Sequence, residues 1–360
     1  MTTQNTPGIH SGPARPAREG DRRDAPAADP ADRHRPLDLL DRIGDGSVVV
    51  VGSLNADLTV RTARFPDPGE TVSGEDLQVL PGGKSANQAV QAARLGADVT
   101  MIGTVGDDAN GDLLVESLRA AGARTELVGR APVATGTAVI TVDDEGENTI
   151  IVSPGANART GLGLVERHAE RIASASALGL CLEIDLDAVA RAAAIAHEAG
   201  TIVVLNNSPF RADLPADLLG IVDVLVVNEH ELEGMLVHHG LADAGSVDPG
   251  ACEQEWAGCA RSLAGLGIER AVVTLGARGS VVLDRGRVAP IDPAPAEVVD
   301  TTGAGDSFLG TLLASLAAGG SLVEAATLAS AVSAHSTRAL GAQASYGDRA
   351  ALRALWPPHS

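Results

Sequence analysis

Apolar positions along the chain follow two alternating rhythms. Short uninterrupted runs read as strands buried on both faces, the first being Ser47-Val48-Val49-Val50-Val51-Gly52. Between such runs lie longer stretches with apolar residues at helical spacing. Over about 84–94, for example, Ala86, Ala89, Val90 and Ala93 share one face. The spacing predicts strands at 98–103, 176–181, 201–206, 222–227 and 270–275. It predicts helices at 111–121, 161–172, 187–198, 229–237, about 250–265, 304–318 and 321–336. From about 160 onward strand and helix alternate, which predicts an α/β fold with a mostly parallel sheet covered by helices on both faces.

Two segments break this rhythm. Residues about 55–82 carry Pro66, Pro68 and Gly69 among short extended runs. Residues 134–143 and 147–152 flank the turn Asp143-Asp144-Glu145-Gly146 as a hairpin. Both segments predict a small β-sheet set into the large domain, in a position to act as a lid. A further extended run follows Gly279, and there is no internal repeat. Residues 1–45 are rich in Pro, Ala, Arg and Asp without hydrophobic periodicity. They are expected to be a disordered extension ahead of one domain spanning 46–355. Their lack of an apolar core argues against a secretory signal.

Composition sharpens the picture. Hydrophobic residues are 44% of 360 but aromatics only 2%, so the core must be built from Ala, Val, Leu and Ile. With 27 Lys and Arg against 47 Asp and Glu, the net charge of -20 argues against nucleic acid and anionic membranes as partners. Cys181, Cys252 and Cys259 form no paired motif, which speaks against a disulfide scaffold or a zinc site and for a reducing cytoplasm. No apolar run reaches the length of a membrane span.

Five polar runs carry candidate chemistry. In Asp300-Thr301-Thr302-Gly303-Ala304-Gly305-Asp306, a Gly-rich turn opens an apolar helix. Free N–H groups of Gly303, Ala304 and Gly305 and the positive helix end would form an anion site. Asp306, in the first turn, would stand ready to take a proton from a hydroxyl beside it. The run reads equally as a Gly-rich turn with an ordinary first-turn acid. Pro81-Gly82-Gly83-Lys84-Ser85-Ala86-Asn87 suggests a phosphate-binding P-loop, but Gln78 stands where that motif requires Gly. It is a Gly-Gly turn entering a helix, with Lys84 and Asn87 one turn apart, suited to a polyhydroxylated ligand or simply to solvent. Asn55 and Asp57 follow the first buried strand, where parallel sheets bind ligands. Asn228 and Glu231 follow strand 222–227 and could organise Mg²⁺ through water, or form a helix capping box, or both. Thr274, Gly276 and Gly279 lie on a turn that would let a backbone approach a flat ligand.

Taken in order over about 47–350, these runs resemble the ribokinase family of PfkB-type carbohydrate kinases. The match rests on the early Gly82-Gly83-Lys84…Asn87, the late Asp300-Thr301…Gly303-Ala304-Gly305-Asp306, and the runs Phe65–Val72, Gly146-Glu147-Asn148 and Gly155-Ala156-Asn157. The resemblance implies a ribokinase-like fold and ATP-dependent phosphorylation of a sugar, D-ribose at its primary hydroxyl being the leading expectation. It implies that Asn55, Asp57, Gly83, Lys84, Asn87 and Glu183 hold the sugar and that Asp306 is the base. Gly303, Ala304 and Gly305 would form the anion hole. Asn228, Thr274, Gly276, Gly279, Gly305 and Ser330 would line the nucleotide, and Asn228 and Glu231 would serve Mg²⁺. A K⁺ site is implied at Asp300, Thr302, Ser336, Ala339, Gly341 and Ser345, and a homodimer through the lid. Ser85 replaces a common Gly, and Asn206-Asn207-Ser208-Pro209 departs from the usual loop. Both departures bear on which sugar is taken. Alternatives are a kinase for deoxyribose, fructose or a nucleoside, and a catalytically silent sugar sensor.

Overall fold

A computed structural model describes residues 36–243 and 245–354. Strands β1 (Ser47–Val51), β2 (Asn55–Arg61), β3 (Gln78–Gly82), β4 (Asp98–Gly106), β5 (Val128–Ala131), β6 (Gly136–Val142), β7 (Asn148–Ser153), β8 (Ala177–Leu180), β9 (Ile202–Asn206), β10 (Val224–Asn228), β11 (Arg270–Thr274), β12 (Ser280–Asp284) and β13 (Arg287–Ile291) build two sheets. The large one has nine strands in the order β13-β12-β11-β10-β9-β8-β1-β4-β5, and the small one four in the order β3-β2-β6-β7. In the large sheet every pairing from β11 through β5 is parallel, and only β12 and β13 join antiparallel.

The strand sequences explain the layers. Val48 and Val50 of β1 are buried in one apolar cluster while Val49 and Val51 are buried in another. A strand with period-2 side chains and both faces apolar belongs in the middle of a helix-covered sheet. Helices Lys84–Arg94, Ala109–Ala120, Ala304–Ala317 and Leu322–Ser336 cover one face, and Leu186–Ala199, Glu229–His238 and Glu253–Gly265 the other. Successive strands run outward from β1 in both directions. The order therefore reverses beside β1, which opens a crevice at the carboxyl ends of β1 and β8.

The small sheet pairs β2 with β3 and β6 with β7 antiparallel, and β2 with β6 parallel. Its hairpin turn closes as the sequence suggests: Gly146 N donates to Asp143 O (3.1 Å) and Gly146 takes φ 84°. Every residue of β7 is exposed, Ile151 to 71%.

Three expectations are corrected. The disordered stretch expected over 1–45 ends too late, because Pro36–Arg42 is a helix. Leu39, Leu40 and Ile43 are buried against the Leu322–Ser336 side of the core, and Arg349 donates to Ile43 O. A two-turn helix among prolines and charges shows little periodicity, and only its tertiary neighbours hold it. Residues 1–35 lie outside the described residues. The helix expected over 161–172 is two, Leu162–Arg167 and Ala169–Ala173, interrupted at His168 with φ -114°. The extended run after Gly279 is a hairpin of two strands, and β5 was not foreseen. Among the described residues no helix is long and apolar enough to cross a membrane.

Candidate active site

Parallel strands in register deliver their carboxyl ends to one line. Ser53 follows β1, Glu183 follows β8, and Asn206, Asn228 and Thr274 are the last residues of β9, β10 and β11. From the other side comes the start of Ala304–Ala317, where Gly303 adopts φ 75°. A Cβ there would lie 2.6 Å from Ala342 Cβ and 2.7 Å from Tyr346 Oη, so glycine is required twice over. The Tyr346 hydroxyl donates to Gly303 O (2.8 Å) and locks the turn. Between these elements lies a cleft of about 220 Å³, lined by Lys84, Asn206, Ser208, Asn228, Glu231, Thr274, Gly303, Gly305 and Asp306 with Val226, Val227 and Leu309.

The anion site differs from expectation in one amide. Ala304 N donates to Thr301 O (3.1 Å) and so turns away from the cleft. Gly303 and Gly305 line the cleft and Ala304 does not.

Asp306 is held on both carboxylate oxygens. Asn87 Nδ2 donates to Oδ2 (2.9 Å) and Gln88 Nε2 to Oδ1 (3.4 Å). Asn87 is itself oriented, because Gln343 Nε2 donates to its Oδ1 (2.9 Å) and Ser117 Oγ donates to Gln343 Oε1 (2.6 Å). Burial raises the Asp306 pKa above its ordinary value and Glu183 adds to this, while Lys84 and the Asn87 and Gln88 bonds oppose it. Asp57 is pushed up to about 7, first by burial and then by the charges of Glu183 and Asp306, against Lys84. The Lys84 ammonium lies partly buried, which alone would lower its pKa, but Asp306, Glu183, Cys181 and Glu231 together raise it. Lys84 thus answers several acids at this end of the sheet and stays charged.

The Gly82-Gly83 turn is tightly built. Gly83 takes φ 89°, and a Cβ there would meet Asn55 N at 2.6 Å. Ser53 donates to Glu183 Oε2, and Lys84 N reaches the same oxygen at 3.2 Å. Asn157 is buried and bridges Leu54 N (2.9 Å) to Asn55 Oδ1 (2.7 Å), so it sets the Asn55 amide. Ser85, where a glycine is common, lies with its hydroxyl 2.9 Å from Cys181 Sγ. Burial and then Glu183 raise that thiol to about 11, which leaves it an unreactive packing group.

Other expected residues fall into place unevenly. Asn228 and Glu231 do form a reciprocal capping box, with both bonds at 2.8 Å. One Glu231 oxygen remains for a water shell, and burial raises its pKa. Gly276 and Gly279 have positive φ, but the backbone of β13 at Ile291 accounts for Gly279. Ser330 donates to Asp292 O (3.3 Å), and it does not line the cleft. Asn206, Ser208, Gln88, Gln343 and Asn157 were missed as site residues. Asn206 and Ser208, in the loop already noted as bearing on the sugar, and Asn157, in a run already noted, carried a sequence signal; Gln343 carried none.

Behind Gly303 lies the candidate cation site. Asp300 accepts from Thr302 N (2.9 Å), Thr302 Oγ1 (2.7 Å) and Gly341 N (2.7 Å). Burial works against its charge, but these bonds and the Arg61 charge prevail and its pKa falls below the ordinary value. The hydroxyls of Ser336 and Ser345 donate to Ser333 O (2.7 Å) and Ala342 O (2.9 Å). Among the described residues no three His, Cys, Asp or Glu cluster to hold a metal. One carboxylate among neutral oxygens fits a monovalent ion better than a divalent one. A second cavity, about 420 Å³, shares no lining residue with the cleft. Although it is the roomier, the chemistry belongs to the cleft, where the acids, Lys84 and the helix start converge.

Comparison with known proteins shows the family and the fold. The family model for pfkB family carbohydrate kinases matches residues 45–349. The chain is 36% identical over 304 residues to the ribokinase of Haemophilus influenzae, covering 84% of this chain and 96% of that protein. It is 36% identical over 305 residues to the ribokinase of Mus musculus, covering 83% and 91%. The structure of Arabidopsis thaliana ribokinase complexed with ribose and ATP superposes with a TM-score of 0.78 at 30% identity, covering 87% of this chain and 99% of that one.

Proposed function

Because the chain belongs to the pfkB family of carbohydrate kinases, we propose that it transfers the γ-phosphoryl group of ATP to the primary hydroxyl of D-ribose, with Asp306 as general base. The observation that carries this reading is the placing of Asp306. It stands in the first turn of a helix that opens on Gly303, braced by Asn87 and Gln88 and with the charge of Lys84 nearby. The hydroxyl proton passes to the Asp306 carboxylate as the oxygen attacks phosphorus in line and ADP leaves. The raised pKa of Asp306 makes it a better proton acceptor than a solvated aspartate. The Gly303 and Gly305 amides and the helix end favour the charge on the transferring group, and Lys84 balances the surrounding acids.

Asn55, Asp57, Gly83 and Glu183 form the sugar side in this reading, and burial, with Glu183 and Asp306, raises the Asp57 pKa to about 7, so that it can donate or accept. Asn87 acts on Asp306 as well as toward sugar. Asn228, Thr274, Gly276, Gly279 and Ser330 form the nucleotide side. Mg²⁺, held through water by Asn228 and Glu231, would neutralise phosphate charge. K⁺ at Asp300, Thr302 and the carbonyls of Ser336, Ala339 and Gly341 with Ser345 would stiffen the turn behind Gly303. The apolar, wholly exposed β7 supports pairing of two chains through the small sheet. An aromatic content of only 2% speaks against a nucleoside as substrate. The test is ADP release with a panel of pentoses, hexoses and nucleosides, alongside Asp306→Asn. Turnover should be best with ribose, and the variant should lose roughly 10²- to 10⁴-fold in kcat while still binding sugar. Turnover with no sugar or nucleoside refutes the reading, and an active variant refutes the base.

A further inference from the structure

The chain passes from the large sheet to the small one between β5 and β6, and returns after β7 toward the Leu162–Arg167 helix. These two crossings run side by side, and the cavity of about 420 Å³ lies between them. Pro132 and Val133 line it from the outgoing crossing and Arg159 from the returning one, with Arg130 and Arg167 alongside. Three of its lining side chains are guanidinium groups and none is acidic, in a chain whose net charge is -20. Arg130 is fixed by Gly106 O (3.2 Å) and by Asp112. Arg159 and Arg167 have no hydrogen-bond or ion-pair partner among the described residues. Thr104 is 95% buried in the wall, and its hydroxyl accepts from Thr160 Oγ1 (3.0 Å), which leaves its own proton free to donate inward. Leu164 and Val133 supply an apolar flank.

Unpaired guanidinium groups from separate elements around one recess suit a planar or tetrahedral oxyanion, which bridges them by charge-assisted bonds. We propose that this cavity binds a phosphate-bearing small molecule whose anionic group joins Arg159 and Arg167, on the returning side, to Arg130 at the end of β5 and so clamps the two crossings of the small sheet. The clamp would reach the cleft through β6, which pairs along its length with β2, where Asn55 and Asp57 lie. A ligand that favours one setting of the small sheet shifts the population of that setting.

The binding claim is independent of the kinase reading and is tested by amide hydrogen exchange on the full chain. The probes are inorganic phosphate and AMP, with chloride at equal ionic strength as control. At a probe concentration ten times its Kd, amides within 133–135 and 155–160 should exchange about tenfold more slowly. Protection by phosphate alone identifies the free ion as sufficient, and protection by AMP alone requires a body on the phosphate; both support the site. In R159A/R167A the protection should vanish, while the melting temperature and the basal sugar-independent ATP binding stay unchanged. No protection at these amides, equal protection in the double variant, or protection confined to 303–306 overturns the proposal.

Discussion

Substituting Gln343→Met tests whether Asp306 owes its competence to a residue that never touches it. Methionine keeps the side-chain volume but removes the donor that Gln343 presents to Asn87 Oδ1 at 2.9 Å. Asn87 is buried, so its carbonyl oxygen is left without a partner, at a cost of about 1–3 kcal/mol in stability. The amide then has no reason to keep Nδ2 toward Asp306, where it now donates at 2.9 Å. Without that bond the Asp306 carboxylate loses one of the two donors that orient it, and misplacement of the base is expected to lower kcat by roughly 10- to 100-fold. The sign for pH follows from the same bond. Asn87 holds the Asp306 pKa down against burial, so weakening it raises that pKa, and the acid limb of the kcat profile moves to higher pH. The assay is kcat against pH at saturating ATP and sugar, with the melting temperature recorded in parallel. KM for ATP should stay within about twofold, since Gln343 does not line the cleft. If kcat falls with the acid limb unmoved, or if the limb moves only with a change in KM for ATP, the positioning argument fails.

Three further outcomes follow from the geometry. Asp57 has a folded pKa near 7 against an ordinary 3.8, so its ionisation penalises the folded state progressively between about pH 4 and 7. Asp57→Asn should therefore raise the melting temperature at pH 8 and change it little at pH 4, and equal effects at both would show that burial of Asp57 is overstated. Leu40 is fully buried, and Leu40→Ala should lower unfolding free energy by about 2–5 kcal/mol in a denaturant titration; a change under about 0.5 kcal/mol would mean that the Pro36–Arg42 helix is not part of the core. Replacing K⁺ by a bulky organic cation should reduce kcat in the native protein and leave Asp300→Asn indifferent to the exchange, and equal native rates would remove the cation site.

Most of the scaffold was legible because each strand and helix states its own burial. Valines in β1 alternate between two apolar layers, and helix Lys84–Arg94 has the bounds its spacing predicts. The Pro36–Arg42 helix was not legible, since seven residues cannot establish a helical period and its support comes from the far end of the chain. The site was legible where residue type and backbone need coincide, as at Gly83 and Gly303. It was illegible where function depends on which neighbours arrive. Nothing local to Gln343 announces that it steers Asn87, and nothing local to Ala304 says that its amide bends back to Thr301.

By itself the sequence determined the alternation of buried strands and covering helices, the small inserted sheet, and the two glycine turns with their polar residues. Those features depend on side-chain period and on glycine's access to positive φ, which are properties of short segments. Only the tertiary structure decided that Asn87 and Asp306, separated by 219 positions, meet at 2.9 Å. Only it buried Asp57 and set Glu183 and Asp306 near it, which raises its pKa to about 7, and only it brought Glu183, Glu231 and Asp306 around Lys84. The physical reason is that solvation and charge coupling depend on distance in space, and strand order, not spacing along the chain, sets that distance.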